Sequence, residues 1–151
     1  MTVALGADHG GYALKEEVKR YLLARSYQVV DCGVDSAEPA DYPFYGKKVA
    51  ESVAAGRAQK GVAICGTGIG MAVAANKVPG IRAALCTDSF MAKMARAHND
   101  AQVLAMGARV VGTGLALDIL EVFLRTDFEG GRHERRVRQL DQPPATDNNE
   151  G

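Results

Sequence analysis

Cys65 is followed by glycines at 66, 68 and 70, within the run Gly61-Val62-Ala63-Ile64-Cys65-Gly66-Thr67-Gly68-Ile69-Gly70-Met71. A short apolar run ends at the thiol, and the alanine-rich stretch from Ala72 to Lys77 favours helix, so the pattern predicts strand, glycine loop and helix. Glycines let a ligand approach the backbone, and the N–H groups of the loop and of the helix N-terminus attract negative charge. A phosphate or a polyhydroxyl compound fits such a surface. The same field favours the thiolate of Cys65, which opens base or nucleophile chemistry beside a bound anion. A strand-end cysteine also serves as a small buried hydrophobe, so taken alone Cys65 is open to both readings.

Two phosphate-binding patterns are excluded. The third glycine of G-x-G-x-x-G would fall at Met71, and no Gly-Lys-Ser/Thr follows the loop as a P-loop requires. Gly112-Thr113-Gly114 also lacks the last glycine of a dinucleotide motif and reads as a helix-entry turn. Asp8-His9-Gly10-Gly11 follows a second short apolar run, where Asp8 can bind hydroxyls or cap a helix. In Ala97-His98-Asn99-Asp100, His98 and Asn99 can do chemistry or only cap a helix C-terminus. Arg132 and Arg136 are four apart and would share one side of a helix, as a phosphate clamp needs, although Arg135 and Arg138 make an ordinary solvated basic face an equal reading.

The elements that must position these residues alternate along the chain. Strands are expected over Val3–Ala7, Tyr27–Cys32, Gly61–Cys65, Arg82–Cys86 and Val103–Met106. Helices are expected over Ala13–Arg25, Tyr42–Ala55 (entered through Pro43), Ala72–Lys77, Ser89–His98 and Leu115–Leu124. A Gly130-Gly131 break then leads to a basic segment, Arg132 to Leu140. Such alternation predicts a parallel sheet with helices on both faces and a ligand site beyond the carboxyl ends of the strands, where Asp8, His9, Cys65 and Thr67 fall. Residues 1–140 read as one domain, and the polar, proline-containing tail 141–151 reads as disordered.

Eighteen basic and eighteen acidic residues cancel, which removes the electrostatic case for nucleic acid or an anionic membrane as partner. Cys32, Cys65 and Cys86 are odd in number and have no CxxC or zinc spacing, so reduced thiols and no metal are expected, with Cys32 and Cys86 in the core. The chain enters a strand directly, without a basic region and long apolar stretch, and a soluble cytoplasmic protein is expected.

Seven segments together resemble the ribose-5-phosphate isomerase type B family, which also includes the galactose-6-phosphate isomerase subunits. They are Asp8-His9-Gly10-Gly11, Asp41-Tyr42-Pro43, Cys65-Gly66-Thr67-Gly68-Ile69-Gly70, Ala74-Ala75-Asn76-Lys77, Gly80-Ile81-Arg82-Ala83, His98-Asn99-Asp100 and Glu129-Gly130-Gly131-Arg132-His133. The resemblance implies a Rossmann-like, three-layer α/β fold with a five-stranded parallel sheet and a C-terminal helical extension. It also implies a homodimer, with a tetramer as the larger alternative, whose active sites lie at the subunit interface. The implied reaction is aldose–ketose isomerisation of a small-molecule sugar phosphate without cofactor, in the non-oxidative branch of the pentose phosphate pathway.

That reaction needs ring opening, a base that carries a proton between C1 and C2, and stabilisation of an enediolate. By the resemblance Cys65 is the base, His98 opens the ring, and Thr67 with the amides of Gly66, Gly68, Ile69 and Gly70 stabilises the oxyanion. One branch of the family has a glutamate base where this chain has Met71, so the chain resembles the cysteine branch. Asp8 and Asn99 are expected on sugar hydroxyls, and Arg132, Arg136, Arg109 and His9 on phosphate or substrate, some of them from the partner subunit. Tyr42 lines the sugar pocket or only packs. The readings that remain are ribose 5-phosphate with ribulose 5-phosphate, a six-carbon substrate such as allose or galactose 6-phosphate, and a non-catalytic sugar-phosphate sensor.

Overall fold

Short runs of small and β-branched residues alternate with longer amphipathic runs, and each takes the structure its period dictates. In the computed structural model, which describes residues 1–142, the order is β1 (Thr2–Ala7), α1 (Tyr12–Ala24), β2 (Gln28–Gly33), α2 (Tyr42–Ala54), β3 (Lys60–Cys65), α3 (Ile69–Asn76), β4 (Ala83–Leu85), α4 (Ser89–Ala97), β5 (Val103–Gly107), α5 (Thr113–Arg125) and α6 (Arg132–Asp141). The strands form one parallel sheet in the order β2-β1-β3-β5-β4. The expected three-layer fold, five-stranded sheet and C-terminal helical extension are all present.

The alternation of side chains along β3 divides the core in two. Val62 and Ile64 face one layer, with Leu14 and Val18 of α1, Ala92 and Ala95 of α4, and Ile119 and Leu120 of α5. Ala63 and Cys65 face the other, with Val49 and Ala50 of α2 and Met71 and Ala75 of α3. Cys65 therefore ends its strand pointing toward α3, the helix that follows it.

Most boundaries shift by a residue or two, and three of the differences bear on the site. Helix α3 begins at Ile69, inside the glycine run, because Gly68 takes a left-handed φ of +82° and starts the helix at once. Strand β4 is shorter than expected, and the guanidinium of Arg82, just before it, donates to the carbonyls of Asn99 and Asp100 and to Asp141. Helix α6 includes Asp141, held by that last bond, while the rest of the expected tail, 143–151, lies outside the described residues.

One buried charge sits in this frame. Lys15 of α1 is fully buried, and its Nζ lies 2.9 and 3.1 Å from the two carboxylate oxygens of Asp31 on β2 and 3.1 Å from Glu16. Burial pushes the Asp31 carboxyl up, but hydrogen bonds from Lys15, Lys19 and the Gly33 amide outweigh it and hold it below the usual carboxylate range. A depressed carboxyl contributes stability above its unfolded pKa, about 3.9, which is lost as pH falls through the folded value. Asp31→Ala leaves Lys15 short of its principal counter-charge and should cost about 3 kcal/mol at pH 7, whereas Lys15→Met leaves Asp31 bonded to Lys19 and to the Gly33 amide and should cost less. Urea unfolding of both variants checks the asymmetry, and equal costs would refute it.

Candidate active site

The loops after β1 and β3 meet where the sheet's connections diverge, since β1 leads to β2 on one side and β3 leads toward β4 on the other. The Asp8 amide donates to the Ile64 carbonyl over 3.2 Å, and Asp8 Oδ1 accepts from the Gly11 amide over 3.1 Å. Gly11 is the cap residue of α1, so Asp8 closes the turn ahead of the helix rather than capping it. Space between the two loops is tight: a Cβ on Gly10 would sit 3.3 Å from Asp8 Oδ1 and 3.4 Å from the Gly66 nitrogen. His9 is exposed, and its Nδ1 lies 3.1 Å from the Ala40 amide nitrogen and 3.2 Å from the Ala40 carbonyl oxygen.

Cys65 is 5% exposed, and its Sγ accepts from the Gly68 amide over 3.1 Å. Thr67 Oγ1 accepts from the Ile69 amide over 3.2 Å, so the hydroxyl's own proton can point to a ligand. The amides of Gly68 and Ile69, both among those expected on the oxyanion, thus have partners within the loop. Gly70, expected in the loop, lies in the first turn of α3, where a backbone N–H has no helical acceptor. The Tyr42 ring covers it so closely that a Cβ on Gly70 would sit 2.6 Å from Tyr42 Cε2. Arg109, just past β5, donates its amide to the Gly66 carbonyl over 2.9 Å, and its side chain runs past the Gly66 Cα.

His98 and Asn99 are elsewhere. Helix α4 runs antiparallel to the strands and ends at the amino edge of the sheet, where the Gly61 amide donates to the Gln102 carbonyl. Gly61 pairs with Val103 and Cys65 with Gly107, so about 13 Å of strand lies between that edge and the thiol at 3.3 Å per residue. His98 is the C-cap of α4, its amide bonded to the Met94 carbonyl, and it stacks on His133 of α6. Arg132 opens the same helix, and Arg136 follows one turn later, both exposed. A cavity of about 570 Å³ at this end is lined by Asn76, Arg82, Asn99, Leu140 and Asp141, remote from Cys65. One chain thus brings together Asp8, His9, Cys65, Gly66, Thr67, Gly68, Ile69, Gly70 and Arg109, and separately His98, Asn99, Arg132 and Arg136.

A model of the Ribose/Galactose Isomerase family matches residues 3–140. The chain belongs to that family. It is 46% identical over 138 residues to "Ribose-5-phosphate isomerase B" of Escherichia coli K12, covering 91% of this chain and 93% of the relative. It is 41% identical over 141 residues to "D-erythrulose-4-phosphate isomerase" of Pectobacterium atrosepticum, covering 93% of each. The solved structure of Clostridium thermocellum ribose-5-phosphate isomerase B superposes with a TM-score of 0.93 at 54% identity, covering 93% of this chain and 95% of that one. The resemblance in the seven segments is thereby confirmed, and the chain is an aldose–ketose isomerase of the ribose/galactose isomerase family.

Sequence reasoning missed the residue on which the Cys65 loop rests. A Cβ on Gly107 would sit 2.4 Å from the carbonyl carbon of Thr67 and 2.5 Å from its oxygen. The isomerase loop therefore lies directly on the end of β5, and only the crossing of two remote segments reveals this. Glu129 and His133 were also missed as neighbours of His98, although both lie in a segment that carried the resemblance. Gly107→Ala should cost roughly 2 to 4 kcal/mol, because backbone must move, and should lower turnover with it. Thermal unfolding and an isomerase assay check this; unchanged stability would show that the loop does not rest on β5.

Proposed function

We propose that this isomerase interconverts D-ribose 5-phosphate and D-ribulose 5-phosphate, as a homodimer in the cytoplasm, on the non-oxidative branch of the pentose phosphate pathway. The observation that carries the reading is the Cys65 sulfur, 3.1 Å from the Gly68 amide at the N-terminus of α3, with Asp8 on the adjoining loop. A base that becomes anionic sits well at that point, and a phosphorylated sugar has donors on both sides of it.

In this reading His98 moves the proton that opens the furanose ring. The Cys65 thiolate then takes the C2 proton, and the C2–H electrons shift toward the C1 carbonyl to give a cis-enediolate. The Thr67 hydroxyl and nearby loop amides stabilise the developing oxyanion. The thiol returns the proton to C1 while the O2 hydroxyl proton passes to O1, which leaves the C2 ketone. Asp8 and Asn99 bind sugar hydroxyls, and Arg132 and Arg136 take the phosphate, with Arg109 and His9 as further phosphate or substrate contacts.

The separation of the two residue groups supports an active site shared between subunits, with Cys65 of one protomer facing His98, Asn99, Arg132 and Arg136 of another. Tyr42, Phe44, Ile69 and Val73 supply large exposed apolar side chains on α2 and α3, beside the Cys65 loop, as an interface would. Three free thiols and, among the described residues, no helix long and apolar enough to cross a membrane accord with the cytoplasm. A second reading, a four- or six-carbon sugar phosphate, is favoured by the erythrulose-4-phosphate relative and by the breadth of the family.

Cys65→Ala should lower kcat by about 10³-fold or more, the scale of a lost general base, while leaving the fold intact. Turnover of ribose 5-phosphate should exceed that of allose 6-phosphate and of a tetrose phosphate; the reverse preference would keep the mechanism and overturn the substrate. Shared sites predict complementation: refolding Cys65→Ala and His98→Asn chains together should restore about a quarter of wild-type activity, since half the dimers are mixed and each has one intact site. No recovery would place each active site within one chain.

A further inference from the structure

Glu129 and His133 have no part in the mechanism above, yet both meet His98. The His98 and His133 rings stack with centroids 4.1 Å apart and planes 11° from parallel. Glu129 Oε2 lies 3.9 Å from His98 Nε2 and 3.5 Å from His133 Nε2. The Glu129 amide donates to the Ala97 carbonyl over 3.0 Å and ties this segment to the last turn of α4. The His133 side chain is 8% exposed against 35% for His98, and His133 Nε2 is buried without a hydrogen-bond partner among the described residues.

The three side chains offer ligand atoms within 4.8 Å of one another, as a cation site would. An ion bound by imidazole nitrogen lies in the plane of the ring, however, and two nearly parallel rings have no shared point within bonding reach. The arrangement suits one ring supporting the other instead. Burial lowers the affinity of His133 for a proton, His98, Arg132 and Arg136 lower it further, and Glu129 opposes them.

We propose that His133 is a positioning residue for His98: its buried ring stacks on the His98 imidazole and holds it in one plane. This rests on the reading that His98 moves the ring-opening proton. His98 is the more exposed ring, so a sugar can reach its edge, and the buried partner acts as a platform beneath it.

The test compares His98→Asn, His133→Ala and His133→Phe in the full-length protein, with folding checked by circular dichroism. His133→Ala should lower kcat about 10-fold with KM changed less than 2-fold, and His133→Phe, which keeps an aromatic face, should recover to within about 3-fold of wild type. A His133→Ala enzyme within 2-fold of wild-type kcat, or a His133→Phe enzyme no better than His133→Ala, overturns the proposal. If His98→Asn itself retains full turnover, the role of His98 fails instead, and the platform has no reaction to serve.

Discussion

The hydrogen bond from the Gly68 amide to the Cys65 sulfur depends on three backbones running closer than side chains allow. Gly68 needs its left-handed conformation, and a Cβ there would also meet Leu85 Cδ1 at 2.6 Å and the Met106 carbonyl carbon at 2.7 Å. On the facing strand, Gly107 leaves room for the Thr67 backbone. The thiol is thus fixed by the shape of β3, β5 and the start of α3 together. Around it, Ala4, Ala63 and Ala105 keep that face of the sheet shallow, so α2 and α3 can approach and bring the helix N-terminus to the sulfur.

The same parallel topology that builds the thiol site separates it from the histidine. In a doubly wound sheet every strand's carboxyl end carries loops to one edge, and every helix returns the chain to the other. His98 lies at the end of a returning helix, and α6 packs there too, tied through Glu129 to Ala97. No loop of the described length spans the sheet to bring His98 to Cys65. Two chains related by a two-fold axis meet this constraint without any rearrangement inside either one, which is why the proposed mechanism needs a dimer rather than merely tolerating one.

The alternating elements were legible because each has a clear period and a clear stop. Pro43 sits in the first turn of α2, and the run ending at Cys65 forms β3 within a residue of its expected start. Asp8, His9, Cys65 and Thr67 were legible as strand-end residues for the same reason. What the sequence could not show is set by contacts between distant segments. The start of α3 depends on space beside Leu85 and Met106, and the role of Gly107 depends on where Thr67 crosses it. The environment of His133 depends on α6 folding back under α4. Arg82 reads as the first residue of a strand, and its carbonyl does accept from the Gln102 amide, but its side-chain partners lie 17 to 59 positions away.

The division of the site also accounts for how little of the substrate's length can be read from one chain. The chemistry at C1 and C2 needs only the Cys65 loop, which is local and rigid. In the proposed dimer the phosphate is held by Arg132 and Arg136 at the other edge of a second chain, so the span from the reacting carbons to the phosphate is set by how two copies dock. Small changes in exposed apolar residues such as Phe44 or Val73 would alter that span without touching the thiol. A family built this way can keep one isomerisation mechanism while its members differ in the sugar they accept, and the names of the relatives, from erythrulose 4-phosphate to ribose 5-phosphate, follow that pattern.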